Sequence, residues 1–358
     1  MSLSKIYFSL LCMLGSAVAM ENYTGDITRR KGDTNTLRVA SFNISADFFD
    51  KKEPEFQYHK WSHRRSAVLQ TINEINPDIL GVQELSPIQA LELSQISGYT
   101  SFFLSQTPSN IEVGIIVEGA EVKEWIGKNI GTPTVGILYK TEKFKLEDKG
   151  RFWLKEDPDA LPIHRDRSQT DKGFGNMNTY RGPLWVHLIH LPTKKSVYIY
   201  NSHYPLSGNH DTRLNCARIE RQKIEEISQN NFWVSMGDRN IIPVTDESTE
   251  SDIHALAPLL EDAYNAVNPK GCHGGPAATF VGFNYDTYKN PIEEGCLKQP
   301  KVLDVIVSNK PSLRSQHVLT QFSPETGEVE LNPASLTENR TFASDHLMVV
   351  ADYAPFEE

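Results

Sequence analysis

With 358 residues, 39% of them hydrophobic, the chain is long enough for one large α/β domain, and nothing in it reads as an interdomain linker. A formal net charge of -10 argues against a broad basic surface that grips nucleic acid tightly and without sequence preference. It leaves room for an enzyme that touches a few phosphates and releases them.

Residues 1–19 read as a cleavable signal peptide: Lys5 supplies the positive start, 6–14 a short apolar core, and Ala17-Val18-Ala19 a small-x-small cleavage site. The apolar core is far shorter than the roughly 20 residues that span a bilayer, so no stable membrane insertion is expected. The mature chain is expected to be secreted or periplasmic, and a monomer. It would keep Cys216, Cys272 and Cys296, an odd set in which Cys272 and Cys296 could close a loop and leave Cys216 free. Residues 20–36 are a polar, flexible lead-in, with Arg29-Arg30-Lys31 a solvated triplet. Sequons at Asn22, Asn43 and Asn339 have no meaning without a known host.

Residues 37–43 alternate as a strand, Leu37, Val39 and Ser41 against Arg38, Ala40 and Phe42, and end on Asn43. After a charged loop at 48–57, residues 58–75 read as a helix, with Trp61, Arg65, Val68, Leu69, Ile72 and Ile75 near helical spacing and Pro77 closing it. His59 and His63 share a face, but the Glu of a metalloprotease helix is missing, so a surface helix is expected. A second buried strand, 78–84, ends on Gln83-Glu84. A carboxylate there is either solvated past the sheet edge or placed to bind something.

A short helix at 87–96 is followed by β-like runs at 99–105, 113–117, 134–139 and 144–154. The segment 155–179, rich in charge, Pro and Gly, is functional or mobile by its length. It leads into Arg181, a candidate contact for an anionic substrate. Strands at 184–191 and 197–203 are joined by a tight polar turn, and the second ends on Asn201-Ser202-His203. A helix at 211–228, with Asp211 as its N-cap, precedes the apolar strand 232–237, which delivers Asp238 and Asn240. Alone, Gly237-Asp238 reads as well as a turn as it does as a site. Residues 251–265 are expected to be helical. The glycines at 271–275 lack the Lys of a phosphate loop. In the strand 301–308, Leu303, Val305 and Val307 point one way, Asp304 and Ile306 the other. Ser344-Asp345-His346 leads into a last buried strand at 347–351.

Several strand ends thus carry a side chain that chemistry can use: Asn43, Glu84, His203, Asp238 with Asn240, Asp304, and Asp345 with His346. A Ser-His-Asp triad is disfavoured, since adjacent Ser344, Asp345 and His346 cannot fold back on one another and no nucleophile elbow is present.

The order Ser41-Phe42-Asn43, Gln83-Glu84, Asn201-Ser202-His203, Gly237-Asp238-Arg239-Asn240, Leu303-Asp304 and Ser344-Asp345-His346 resembles the endonuclease/exonuclease/phosphatase superfamily over residues 37–355. Residues 61–65, 152–154, Arg181 and 279–283 add to the likeness, which is to the secreted bacterial-type branch. The resemblance implies an α/β fold: a four-layer α/β/β/α sandwich of two mostly antiparallel sheets with outer helices, as one domain at 37–358.

It also implies a Mg²⁺-dependent phosphoester hydrolase, Mn²⁺ being the other ion considered. Glu84 would be the principal ligand, with Asn43 and Asp345 completing or orienting the shell, and the ion would polarise the phosphoryl group and steady the leaving oxygen. Asp238 would activate water, and Asn240 would place that water or the phosphate. His346, backed by Asp304, and His203 would stabilise the transition state, with Arg181 adding charge.

Arg239 departs from the family's apolar residue and is either outward-facing or a substrate contact. The expected substrate is a phosphodiester in nucleic acid or a nucleotide, with a lipid or sugar phosphate as the alternative. The long apolar hairpin of secreted sphingomyelinases has no counterpart. A catalytically dead binding module is a third reading, against which the intact acidic and His set argues.

Overall fold

The computed structural model describes residues 36–47, 54–107, 114–127, 132–160, 181–206, 210–241, 252–266, 279–281, 283, 302–332 and 340–354. The leader, residues 20–35, the segment from 161 to 179, the glycines at 271–275, the Cys272–Cys296 pairing and the sequons at Asn22 and Asn339 lie outside these residues.

In chain order the strands are β1 (Leu37–Asn43), β2 (Ile79–Gln83), β3 (Tyr99–Thr107), β4 (Ile116–Glu118), β5 (Thr132–Lys140), β6 (Phe144–Arg151), β7 (Leu184–His190) and β8 (Ser196–His203). They continue with β9 (Phe232–Asp238), β10 (Tyr264–Asn265), β11 (Asp304–Ser308), β12 (Arg314–Val318), β13 (Thr320–Phe322), β14 (Val329–Leu331), β15 (Thr341–Phe342) and β16 (Met348–Tyr353). Among the described residues, one sheet runs β12-β16-β1-β2-β5-β3-β4 and a second runs β10-β11-β9-β8-β7-β6. A small third sheet, β14-β13-β15, completes the set. Among the described residues, β1 with β2 and β8 with β9 are the parallel pairs of the two large sheets.

Period-two alternation sorts the side chains into layers. Leu37 and Val39 of β1 join Leu184, Val186, Ile199, Val234 and Met236 in the core between the sheets, whereas Ala40 and Phe42 face the helices. Those helices are α1 (Trp61–Ile75) and α2 (Pro87–Ser94), whose Trp61, Val68, Ile72, Ala90 and Leu93 cover the first sheet. After the short α3 (Val122–Gly127), α4 (His210–Ser228) lays Cys216, Ala217 and Ile224 on Tyr200, Trp233, Val305 and Val307 of the second sheet. The result is the expected α/β sandwich, two mixed sheets face to face with helices outside. Cys216 is buried and free, and burial together with the Glu220 charge pushes its thiol well up.

The sheets approach closely at Gly81, where a Cβ would lie 2.7 Å from Met236 Sδ and 3.0 Å from Asn201 Oδ1. Asn201 fills that place as a fully buried amide. Its Nδ2 donates to the Val82 and Gly136 carbonyls at 2.9 and 2.7 Å, and its Oδ1 accepts from Gln83 Nε2 at 2.7 Å. A polar tie thus crosses the core one residue before Glu84 and two before His203.

The structure differs from the sequence-based expectation at several elements. Helix α1 begins at Trp61, and it buries Arg64 while Arg65 is exposed beside Glu92 at 3.2 Å. Residues 252–265 are not one helix: a 3-10 turn (Asp252–Leu256) and one α-turn, α5 (Ala257–Leu260), give way to β10, because Pro258 and the short apolar run support only a turn. β12 and the small sheet, built of short strands with weak alternation, were not anticipated.

Candidate active site

The two large sheets present the ends of β1, β2, β8 and β9, the start of β11 and the approach to β16 at one rim of the sandwich. β9 pairs with β8 in register His203↔Asp238 and with β11 in register Asp304↔Asp238, so three functional positions fall side by side. Backbone turns then aim the side chains. Glu84 and Asn240 adopt left-handed φ of 53° and 49°. Gly237 has φ 141°, and a Cβ there would collide with the Ser202 carbonyl oxygen, so the strand can close on β8 only with glycine.

Asp238 is the centre. Its Oδ1 accepts from the Asn240 backbone N–H at 2.8 Å, and its Oδ2 accepts from Asn43 Nδ2 at 3.0 Å. Burial pushes its pKa up to about 6, helped by the Asp304 charge and opposed by His346, Asn240 and Asn43. Glu84, 21% exposed, is pushed up to about 7 by burial and by the charges of Asp345 and Asp238. Asn43 is fully buried, so its sequon is closed to a glycan in the folded chain. Its Oδ1 accepts from the Ser45 N–H at 3.0 Å and keeps a second lone pair. Asp345 is half-buried, accepts from Ser344 Oγ at 3.2 Å, and reaches the cluster through its charge on Glu84 and His346.

The two histidines differ. His346 Nδ1 donates to Asp304 Oδ2 at 2.8 Å, and its Nε2 lies 3.8 Å from Asp238 Oδ2. Burial works against its charge, but Asp304 and Asp238 outweigh it and hold the imidazolium well above the ordinary histidine range. His203 moves the other way: burial, then the charges of Arg181, His346 and Arg239, depress it well below that range. Its Nε2 accepts from Asn240 Nδ2 at 3.0 Å, and its buried Nδ1 has no partner among the described residues. His203 therefore braces Asn240, and its depressed pKa weighs against the charged, transition-state-stabilising role expected from sequence.

Arg181 stands beside Glu84 and Asp238. Burial lowers its pKa while those two charges support it, and its buried Nε has no hydrogen-bond partner among the described residues. Its carbonyl accepts from the Leu154 N–H at 2.9 Å, which ties the arm to the segment after β6. Arg239 corrects the sequence-based expectation. It is neither outward-facing nor at the rim, but 0% exposed and doubly paired with Glu220 of α4 at 2.9 and 3.0 Å, with Nη2 also donating to Ser235 Oγ at 2.7 Å. Its guanidinium lies over the Tyr204 ring, 4.6 Å from the centroid. A side chain turned under the sheet cannot touch substrate.

The ligand atoms of Glu84, His203 and Asp238 all lie within 4.8 Å of one another, and so do those of Asp238, Asp304 and His346. Burial and neighbouring carboxylates raise the pKa of Glu84 and Asp238, and the carboxylate and amide oxygens gathered there are the donor type that a hard divalent ion takes. Sequence reasoning missed Thr279, whose Oγ1 accepts from the Leu303 and Asp304 N–H groups at 2.8 and 3.1 Å and so fixes the carboxylate behind His346. Its place in the motif 279–283 was the available clue.

No family model matches the chain. It is 27% identical over 312 residues to an uncharacterized protein of Acanthamoeba polyphaga mimivirus, covering 83% of this chain and 43% of that protein, so the chain spans under half the relative's length. Among solved structures, it is similar to an endonuclease/exonuclease/phosphatase family protein from Bacteroides thetaiotaomicron at TM-score 0.62 and 18% identity, with 88% of this chain and 94% of that one covered. It is also similar to a mannosyl-6-phosphatase of Bacteroides thetaiotaomicron (TM-score 0.60, 19% identity, 88% and 98% covered). A third similar structure is D. rerio TDP2 with a single-strand DNA product (TM-score 0.52, 13% identity, 89% and 99% covered). The sandwich, its sheet order and these likenesses agree: the chain has the endonuclease/exonuclease/phosphatase fold.

Proposed function

We propose that this chain is a divalent-metal-dependent phosphoester hydrolase acting on a phosphodiester in nucleic acid or a nucleotide, with Mg²⁺ as its ion and residues 37–358 as its catalytic domain, exported by the leader at 1–19. The observation that carries the reading is the gathering of Asn43, Glu84, Asp238, Asn240, Asp304 and His346 at one rim, from strands far apart in sequence. Glu84, Asn43 and Asp345 would hold the ion, which when bound supplies Lewis-acid polarisation of the phosphoryl group.

The chain's own residues do the rest. Asp238 Oδ2 takes the proton of the attacking water as its oxygen bonds to phosphorus and the bond from phosphorus to the leaving oxygen breaks. A carboxylate lifted to about 6 is a better base near neutrality than an ordinary aspartate. His346, charged and backed by Asp304, balances the negative charge that develops on the phosphoryl oxygens. Asn240, its Nδ2 held by His203 and by the Tyr204 carbonyl at 2.9 Å, keeps Oδ1 to place the attacking water, and Arg181 receives an anionic part of the substrate.

The likeness to a structure holding single-strand DNA favours a nucleic-acid diester. The likeness to a mannosyl-6-phosphatase favours a sugar phosphate as the second reading. Among the described residues no helix is long and apolar enough to cross a membrane. The test incubates wild type and Glu84→Gln with plasmid DNA, RNA, an aryl phosphodiester, sphingomyelin and sugar and inositol phosphates, with Mg²⁺ or chelator. Turnover by wild type alone, abolished by chelator, is expected, and equal turnover by both proteins overturns the metal mechanism.

A further inference from the structure

Beyond the rim, one buried cation is spent on main-chain carbonyls around it. Arg64 of α1, 0% exposed, donates through Nη1 to the carbonyls of Ile44 and Ala343, both at 2.9 Å, and through Nη2 to that of Ser45 at 2.9 Å. Its Nε donates to the His59 carbonyl at 2.5 Å, and its plane sits 5.6 Å from the Trp61 ring and 5.0 Å from that of Phe283. Taking a guanidinium out of water is costly, and packing alone would be served as well by an apolar side chain.

The acceptors explain the arrangement. Ile44 and Ser45 directly follow Asn43, and Ala343 directly precedes Ser344-Asp345-His346. Ser45 has a left-handed φ of 56°, a conformation disfavoured outside glycine, and its carbonyl receives both Arg64 and Gln89 Nε2, the latter at 2.9 Å. Gln89, also 0% exposed, accepts through Oε1 from the Ser86 N–H at 2.8 Å in the capping box that starts α2, two residues after Glu84. The Ser45 carbonyl is thus a hub. Through it, Arg64 and Gln89 join the segments bearing Asn43, Glu84, and Asp345 with His346.

We propose that Arg64 and Gln89 are positioning residues that set the spacing of Asn43, Glu84 and Asp345 for a divalent cation, acting through the Ser45 carbonyl without touching ion or substrate. The inference rests on the metal reading above. Lysine at 64 keeps the charge but offers one nitrogen where four carbonyls are now held in fixed directions. Leucine at 89 keeps the volume and releases both Ser45 and Ser86.

The test titrates Mn²⁺ into metal-free full chain by calorimetry, with paramagnetic resonance of bound Mn²⁺ as a second measure, for wild type, Glu84→Gln, Arg64→Lys and Gln89→Leu. Outer residues that orient ligands typically alter metal affinity about 10- to 100-fold. A loss of about 10-fold is expected for Arg64→Lys and for Gln89→Leu, with activity at saturating Mg²⁺ largely restored and the metal-free circular dichroism of wild type retained. Should Arg64→Lys not fold, Gln89→Leu decides alone. Wild-type Mn²⁺ affinity in the folded variants overturns the inference while leaving the metal reading intact. A wild-type chain that binds no Mn²⁺ overturns both, and Glu84→Gln with undiminished affinity overturns the ligand assignment.

Discussion

Strand β1 carries buried polar groups at both ends, and the two ends are solved in opposite ways. At its start, Arg38 pairs with both oxygens of Asp352 at 2.8 and 2.9 Å, and Arg314 adds a third contact at 2.6 Å. Nearby Asp78 accepts the Arg38 N–H at 2.9 Å and faces Lys143 Nζ at 2.8 Å. Every carboxylate there meets a cation. At the other end Asn43 bonds Asp238 beside Glu84, where burial and neighbouring carboxylates raise the pKa of Glu84 and Asp238 and the compensating charge comes from His346 and Arg181. Charge that compensates itself builds structure, whereas crowded negative charge on a rigid frame waits for a cation from outside.

That contrast is testable because substitutions at the two ends should move stability and activity in opposite senses. The largest effect is expected at the rim: Glu84→Gln or Asp238→Asn should lower kcat on the order of 10³-fold, the scale of losing a group that acts in the transition state. For Glu84→Gln, metal-free thermal melting should stay at or above the wild-type temperature, since a crowded carboxylate is being removed. A melt well below wild type would show that Glu84 serves the fold.

At the start of β1 the order reverses. Asp352→Asn strips Arg38 of its counter-charge, and breaking a buried pair costs roughly 3–5 kcal/mol. Urea unfolding should show that loss while Mn²⁺ affinity remains near the wild-type value. A loss of metal affinity without a loss of stability would erase the distinction between the two ends.

Arg239 sharpens the comparison because it lies between catalytic candidates in sequence yet belongs to the self-compensated kind. Arg239→Met should destabilise by about 3 kcal/mol by leaving Glu220 buried and unpaired. KM for substrate should hardly change, and a rise in KM with unaltered unfolding would restore it as a substrate contact.

Much of the rim was legible because a polar residue at the end of an apolar run is conspicuous: Asn43, Glu84, His203, Asp238 and Asp304 stand at strand edges. The alternation in β1 and β11 likewise gave the correct faces. Partnerships were not legible. Arg239 finds Glu220 across the interface between β9 and α4, a pairing that local pattern does not encode. The depressed pKa of His203 comes from burial and from the charges of Arg181, His346 and Arg239, which are properties of the assembled rim. Helical spacing chose Arg65 over Arg64 because both sit near the apolar face, and only the carbonyls of Ile44, Ser45 and Ala343 separate them.

The smallest effect expected lies where structure and chemistry meet. Thr279 Oγ1 accepts from two successive N–H groups at the start of β11, and valine has the same shape without the oxygen. Thr279→Val should therefore cost about 1–3 kcal/mol, the penalty for buried donors left without an acceptor. Asp304 would also be free to shift against His346 Nδ1, so kcat should fall severalfold with KM unchanged. Serine at 279 keeps the oxygen and should recover kcat even where it does not recover all the stability. If serine and valine lower kcat equally, Thr279 acts by filling space, and Asp304 is held by its strand alone.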